Sequence, residues 1–150
     1  MTGIVLAHAA ATLFMTGLIW FVQVVHYPLF AAVGAGPFPA YARAHQSLTT
    51  LVVAPTMLVE ACAAAALVAF RPPALPGWIA WTGLVLLAAI WLSTFALQVP
   101  AHGRLSAGFD PETGRALVAS NWIRTVAWSG RSALVLLGLW HLLLAGREAS

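Results

Sequence analysis

Four long runs of apolar residues divide the chain, and three short connections separate them. The runs cover residues 4–30, 45–70, 77–102 and 117–145, and the connections cover residues 33–43, 71–77 and 103–115. Each run is longer than the roughly 20 apolar residues that a helix needs to cross a bilayer. Short connections favour antiparallel neighbours, with both termini on one side. The pattern therefore predicts an all-α, integral membrane antiparallel four-helix bundle that forms one transmembrane domain over residues 1–150.

Polar residues recur within each run at about the spacing of a helical turn, so they form one stripe along each helix. Because polar side chains of membrane helices turn away from lipid, we expect the four stripes to converge on the bundle axis. The stripes are His8, Thr12, Thr16, Gln23 and His26; His45, Thr49, Thr56 and Glu60; Thr94, Gln98 and His102; and Asn121, Thr125 and Ser132, with Arg124 and Arg131 on an adjoining row.

The third connection ends in a helix-start signal. Asp110 precedes Pro111 and Glu112, an order typical of a helix N-terminus with Asp as the cap and Pro at the first helical position. The last helix is therefore expected to start at Pro111, before its apolar run begins.

Composition strengthens the membrane prediction. Of the 150 residues, 61% are hydrophobic and 7% are charged, whereas roughly 25% of the residues of a soluble domain are charged. The expected partner is the lipid bilayer, and the expected location is a bacterial inner membrane. Whether the protein forms a homo-oligomer is left open. The formal net charge of +3 forms no basic patch interleaved with aromatic residues, which argues against nucleic acid as a partner. Three arginines in the first and third connections, against two on the opposite side, favour a cytoplasmic location for those two connections.

Six polar residues are expected at one membrane face, the face of the first and third connections. In an up-down-up-down bundle they lie near the ends or starts of their helices and so at similar depth. We call this set the upper layer: His26, His45, Gln98, His102, Asn121 and Arg124.

The three histidines of the upper layer, His26, His45 and His102, are candidate metal ligands. Imidazole is the commonest metal ligand and an axial haem ligand. Three histidines from three helices could hold iron, copper or zinc with an open position for substrate or oxygen. The alternative is that they only bond headgroups and helix ends.

The other three members, Arg124, Asn121 and Gln98, are candidate catalytic residues. Arg124 with Asn121 could bind an anion or polarise a carbonyl or phenolate oxygen. The competing interpretation is that Arg124 extends to the headgroups, because it lies only about two turns inside the last apolar run.

Glu60 and Arg131 are expected to meet near the membrane midplane, and we call them the lower layer. Glu60 lies fifteen residues after His45, or about 22 Å along a helix, and Arg131 lies at a similar depth in the last helix. We predict an ion pair or a short water-bridged contact, with the fixing of bundle register as its structural role. The same gap excludes Glu60 as a co-ligand of any metal on His45.

Two short stretches carry a resemblance. Gln98-Val99-Pro100 with His102, and Asn121-Trp122-Ile123-Arg124-Thr125 followed by Trp128 and Arg131, resemble small bacterial four-helix membrane proteins of uncharacterised function. That group is loosely similar to the anthrone oxygenase-like membrane proteins, whose eponymous members use oxygen to oxidise polycyclic anthrones to anthraquinones. The resemblance covers the layout of most of the chain but assigns no catalytic residue.

The leading functional expectation is a membrane oxidoreductase or oxygenase that acts on a hydrophobic aromatic or quinone-like small molecule at the upper layer. Its histidines would act as metal ligands or proton acceptors, and Arg124 would stabilise negative charge on oxygen. A second hypothesis is a non-enzymatic membrane subunit or ligand-binding protein whose polar axis is structural. That hypothesis predicts direct contact between Glu60 and Arg131 and no cavity near His102. Transport along the polar axis is a third hypothesis.

Overall fold

The structure is a computed structural model that describes residues 1–148. These residues form helices and no strand. Four helical spans, numbered 1 to 4 in chain order, are long and apolar enough to cross a membrane: Thr2–Ala32, Phe38–Ala69, Gly77–Leu105 and Pro111–Glu148. The predicted all-α architecture and the number of spans are confirmed. Each span is longer than the apolar run predicted for it, because the helices continue into the connections.

The spans pack in a ring with alternating direction. Thr12 of span 1 contacts Glu60 of span 2, whereas His26, later in span 1, contacts His45, earlier in span 2. The two helices therefore run in opposite directions. Span 4 runs opposite to span 3, since Arg131 meets Gly83 while Ser120 meets Gln98. This arrangement brings the polar stripes of all four spans to one axis.

Two spans contain a wider helical turn just before a proline. Span 1 consists of the α-helix Thr2–Phe21, a π-helical turn Val22–His26 and a 3-10 turn Pro28–Ala32. Span 3 passes from the α-helix Gly77–Ser93 through the π-helical turn Thr94–Gln98 to the α-helix Val99–Leu105. Proline has no N–H to donate to the preceding turn, and the hydrogen bonds before it shift by one residue, as in the bond from the Tyr27 N–H to the Val22 carbonyl (3.0 Å). The apolar runs predict regular helices there, so neither wider turn was expected.

The connections follow ordinary backbone rules. Gly34, between spans 1 and 2, has φ of 84°, a left-handed conformation that other residues adopt at a cost. Span 4 begins at Pro111, as predicted, and the carboxylate of Asp110 accepts hydrogen bonds from the N–H groups of Glu112 (3.3 Å) and Thr113 (2.9 Å). The bonds from Thr113 hold the pKa of the Asp110 carboxyl below its usual range.

Apolar side chains cover the outside of the bundle, and polar ones lie within it. Leu51 and Leu92 are each 70% exposed, although a soluble protein would seldom leave so many large apolar side chains uncovered. The polar stripe residues Thr12, Gln23, Glu60, Gln98, Asn121, Thr125 and Arg131 are buried. The prediction that the polar stripes face the bundle axis is therefore confirmed. Apolar side chains outside and polar side chains inside suit a lipid environment.

Candidate functional site

The lower layer is a buried ion pair in which each polar side-chain atom has a hydrogen-bond partner. Arg131 Nε donates to Glu60 Oε1 at 2.9 Å, and both side chains are almost fully buried. The guanidinium also donates to the carbonyl of Gly83 and lies 3.1 Å from Nε2 of His8. The pair that helix depth predicts is therefore present as a direct contact.

Two more side chains, one on span 1 and one on span 4, donate hydrogen bonds to Glu60. Thr12 donates to Oε1 (2.9 Å), and the indole N–H of Trp128 donates to Oε2 (3.0 Å). Because charge and hydrogen bonds are both satisfied, the desolvation of the pair is compensated locally. The lower layer thus joins spans 1, 2, 3 and 4 at one level.

The three upper-layer histidines lie close together, as predicted. His26 Nε2 is 2.8 Å from His45 Nδ1, and the His45 and His102 rings are 5.3 Å apart between centroids. His45 Nδ1 also lies 3.1 Å from the Thr49 hydroxyl, while His102 Nε2 lies 2.9 Å from the hydroxyl of Tyr27. The cluster is therefore a set of hydrogen-bonded rings beside a phenol.

This arrangement does not fit a three-histidine metal centre. His26 Nε2 and His45 Nδ1 face each other, whereas His102 Nε2 faces the hydroxyl of Tyr27, so these three nitrogens do not converge on one point. Within residues 1–148, no three His, Cys, Asp or Glu side chains are placed to hold one metal ion. The geometry supports histidines that accept and donate protons, and the predicted iron, copper, zinc or haem gains no support from it.

Arg124 is buried without a carboxylate partner. Its side chain is 9% exposed, and its Nε–H has no hydrogen-bond acceptor. The guanidinium lies beside the Tyr27 hydroxyl and 5.6 Å from the ring centre of Trp128. It therefore points inward and does not extend to the headgroups, which corrects that alternative.

The two amide candidates have mainly structural partners. Asn121 donates to the Gln23 side chain (2.9 Å), and its own Oδ1 is unpartnered. Gln98 accepts from Ser93 (3.0 Å) and donates to Ser120 (3.2 Å). Both amides form hydrogen bonds between spans, and Gln98, unlike Asn121, also lines a pocket between spans 2 and 3.

A pocket of about 400 Å³ adjoins the upper layer, between spans 2 and 3. Its inner end is polar, with Arg124, His102 and His45, and its walls include the apolar Val53 and Met57. Its outer rim includes Phe95 and Val99, which are 61% and 53% exposed on the outside of the bundle. The remaining lining residues are Tyr27, Gln46, Thr49, Thr50, Ala54, Trp91, Thr94 and Gln98. The second hypothesis predicted no cavity near His102, so this part of it is wrong.

Two residues of the site were missed or underrated from the sequence. Tyr27 follows His26 and contacts both His102 and Arg124, but the wider turn Val22–His26 before it, for which Pro28 was the available signal, was not predicted. Trp91 lines the pocket with an indole N–H that has no acceptor. The depth of Trp91 in the third apolar run was the available hint.

Compared with models of protein families, with curated proteins and with solved structures, the chain shows no significant match. The resemblance to the anthrone oxygenase-like membrane proteins therefore stays an expectation from the two short stretches.

Proposed function

We propose that the chain is an integral membrane oxidoreductase of the oxygenase kind, which acts on a hydrophobic aromatic or quinone-like small molecule. The observation that carries this proposal is the pocket of about 400 Å³, apolar along its walls and polar at its inner end. Pockets that bind small molecules have volumes of roughly 300–1,000 Å³ and combine such walls with a few polar groups. The rim of exposed apolar side chains supports entry from the lipid.

The polar end suits a substrate that loses a proton before it meets oxygen. His102 can accept the proton at Nδ1 when its Nε2–H is donated to Tyr27, 2.9 Å away. Arg124 lines the same end and can hold the negative charge that develops on the substrate oxygen. The resulting enolate reacts with dioxygen, and the balance is a ring CH₂ group plus O₂ giving a ring C=O group plus H₂O. No metal is needed for this sequence of steps.

Anthrone is a suitable probe, because it has one acidic CH₂ group beside an aromatic ketone. Protein in lipid nanodiscs is expected to speed oxygen uptake and the appearance of anthraquinone above the rate in protein-free discs. The substitution Arg124→Gln is expected to lower the catalysed rate by about 100-fold, and His102→Ala by a similar factor. Arg104→Gln is the matched control, since Arg104 is an exposed arginine at the same end of the bundle.

Equal rates with and without the protein would contradict the oxygenase proposal. An increase that survives Arg124→Gln would contradict the site. A bacterial inner membrane, with the first and third connections in the cytoplasm, is the proposed location, since the arginine distribution favours that orientation.

The lower layer favours a second candidate, a membrane subunit or ligand-binding protein without catalysis. Its specific support is the hydrogen-bonded Glu60–Arg131 pair, an arrangement that suits fixing the positions of the helices better than it suits a reaction. This candidate predicts that a quinone binds the pocket and that anthrone is oxidised no faster than in protein-free discs.

A further inference from the structure

Arg124 has a charge that the described part of the chain does not neutralise. The chain has four acidic residues: Glu60, Asp110, Glu112 and Glu148. Glu60 is bound to Arg131, and the Asp110 carboxylate caps span 4. Since Glu112 and Glu148 lie twelve residues before and twenty-four after Arg124 in span 4, they are about 18 Å and 36 Å away along the axis.

The neighbours of Arg124 do not supply a negative charge. Tyr27 offers a neutral hydroxyl, and Trp128 offers the face of its ring at 5.6 Å. A guanidinium stays protonated inside a protein, and a buried cation without an anion is costly. An arginine more than nine-tenths buried in this way therefore favours binding of an external anion.

Two residues that line the pocket each have a buried hydrogen-bond donor without an acceptor. The donors are Nε–H of Arg124 and the indole N–H of Trp91, and both residues line the pocket between spans 2 and 3. The pocket wall has no carboxylate, and Arg124 is its one permanently charged residue. An anion bound in the pocket would neutralise the charge of Arg124, and the two donors would reach its oxygen after a change of side-chain rotamer.

We propose that the ligand of this pocket is a monoanionic amphiphile: a single oxyanion, held by Arg124 and Trp91, on an apolar body that lies along the groove between spans 2 and 3. This inference rests on the proposed function and narrows its substrate class to molecules that are ionised when bound. A phenolate, enolate or carboxylate of a small molecule fits this chemistry. The phosphodiester of an anionic lipid, such as phosphatidylglycerol, fits it as well.

Two naphthoquinones of similar size test the charge preference. 2-Hydroxy-1,4-naphthoquinone is an anion at neutral pH, whereas 2-methyl-1,4-naphthoquinone is neutral. Binding is measured by quenching of tryptophan fluorescence, with the protein in phosphatidylcholine nanodiscs. The anion is expected to bind about ten- to a hundredfold more tightly, since hydrogen bonds to charged groups exceed neutral ones by this order.

Substitutions at Arg124 and Trp91 test whether these residues cause the preference for the anionic probe. Arg124→Gln should abolish the difference between the two probes, and Arg124→Lys should keep part of it, because lysine retains the charge without the planar fork. Trp91→Phe should weaken binding of the anion by a smaller factor. The exposed-arginine control Arg104→Gln should bind both probes like the unmodified protein. Circular dichroism of each variant shows whether it is folded.

The outcomes separate this inference from the proposed function. Equal affinity for both probes in the unmodified protein overturns the anion inference and leaves quinone binding intact. If neither probe binds, both proposals fail. A preference for the anion that persists in folded Arg124→Gln also overturns the inference.

Nanodiscs that contain phosphatidylglycerol distinguish the source of the anion. If this lipid weakens anion binding to the unmodified protein more than to Arg124→Gln, the phosphodiester competes for Arg124 and the lipid headgroup is an occupant. If both proteins respond equally, the lipid acts only through surface charge and the small molecule is the occupant. Either result, together with the charge preference, supports a monoanionic ligand.

Discussion

The two buried arginines of span 4 have the same charge in different surroundings. Arg131 has Glu60 at 2.9 Å and further contacts to Gly83 and His8. Arg124 has a phenol, an indole face and an unpartnered Nε–H. Substitution of the two residues should therefore change stability in different directions.

Loss of either member of the ion pair is expected to destabilise the protein strongly. Glu60→Gln or Arg131→Gln leaves one buried charge unpaired, which costs about 3–5 kcal/mol, whereas the double substitution should restore part of the loss. Arg124→Gln removes a charge that had no counter-anion, so the ligand-free protein should be as stable or more stable. Reversible unfolding in mixed micelles measures all four variants.

Glu112→Gln is the control for the ion-pair series, because Glu112 is exposed in the first turn of span 4. Additive effects of Glu60→Gln and Arg131→Gln would show that the two residues are not coupled. A large loss of stability in ligand-free Arg124→Gln would mean that Arg124 is structural.

At the scale of single elements, the π-helical turns set which residues of spans 1 and 3 face the site. A π-helical turn is an α-helix with one extra residue, and such turns are frequent at functional sites. In span 3 the turn Thr94–Gln98 separates two regular helices, and Thr94, Phe95 and Gln98 line the pocket. The turn in span 1, Val22–His26, precedes Tyr27 in the same way.

Deletion of Leu97, an exposed residue of the π-helical turn in span 3, should convert that turn to a regular α-helix. The helices before and after the turn would still point their polar faces into the bundle, so helix content and membrane insertion should remain. Gln98 and the pocket wall should move, and quinone binding should fall by about tenfold or more, as expected for the loss of a well-placed polar contact. Circular dichroism and fluorescence quenching measure the two effects.

Deletion of Ala88, an exposed residue in the regular helix Gly77–Ser93, is the matched control. It rotates everything after it by about 100°, so the polar face of span 3 would turn toward lipid and the protein should be much less stable. If both deletions destabilise equally, the wider turn is not an insertion into a regular helix.

For the whole molecule, the distribution of residues supports a bundle surrounded by lipid. The exposed surface has large apolar side chains such as Leu51 and Leu92, whereas Glu60, Arg124, Arg131 and the amides of Gln23, Gln98 and Asn121 lie inside. With little difference in hydrophobicity between lipid and core, packing and interhelical hydrogen bonds must hold the spans together. The lower layer and the amide contacts of Gln23 and Gln98 provide such bonds.

If the four antiparallel spans cross the membrane, the first and third connections lie on one side and the second lies on the other. In a variant with Cys62 replaced by Ala, single cysteines at Gly36 and Ala107 should react with a membrane-impermeant thiol reagent from the same side of the membrane. A cysteine at Pro73 should react only from the opposite side. Labelling of intact and inverted vesicles measures this, and the arginine distribution favours the cytoplasm for the first two positions.

Reaction of all three cysteines from one side would contradict the four-span arrangement. Reaction of the first two from the outside would leave the bundle intact and reverse its orientation.

The sequence alone determined the features that depend on helix length and period. Twenty or more apolar residues require a helix in lipid, because backbone groups there must bond internally. The 1.5 Å rise per residue places Glu60 and Arg131 at one depth, and the cost of an unpaired charge makes them partners.

The tertiary structure decided what depends on the rotation of each helix and on individual rotamers. The three histidines share a depth, but only the packing shows that His26 bonds to His45 while His102 bonds to Tyr27. The pocket next to His102 exists because spans 2 and 3 leave a gap above the lower layer, and no periodicity encodes a gap. The unpaired state of Arg124 likewise follows from the positions of all four acidic residues, which only the folded chain fixes.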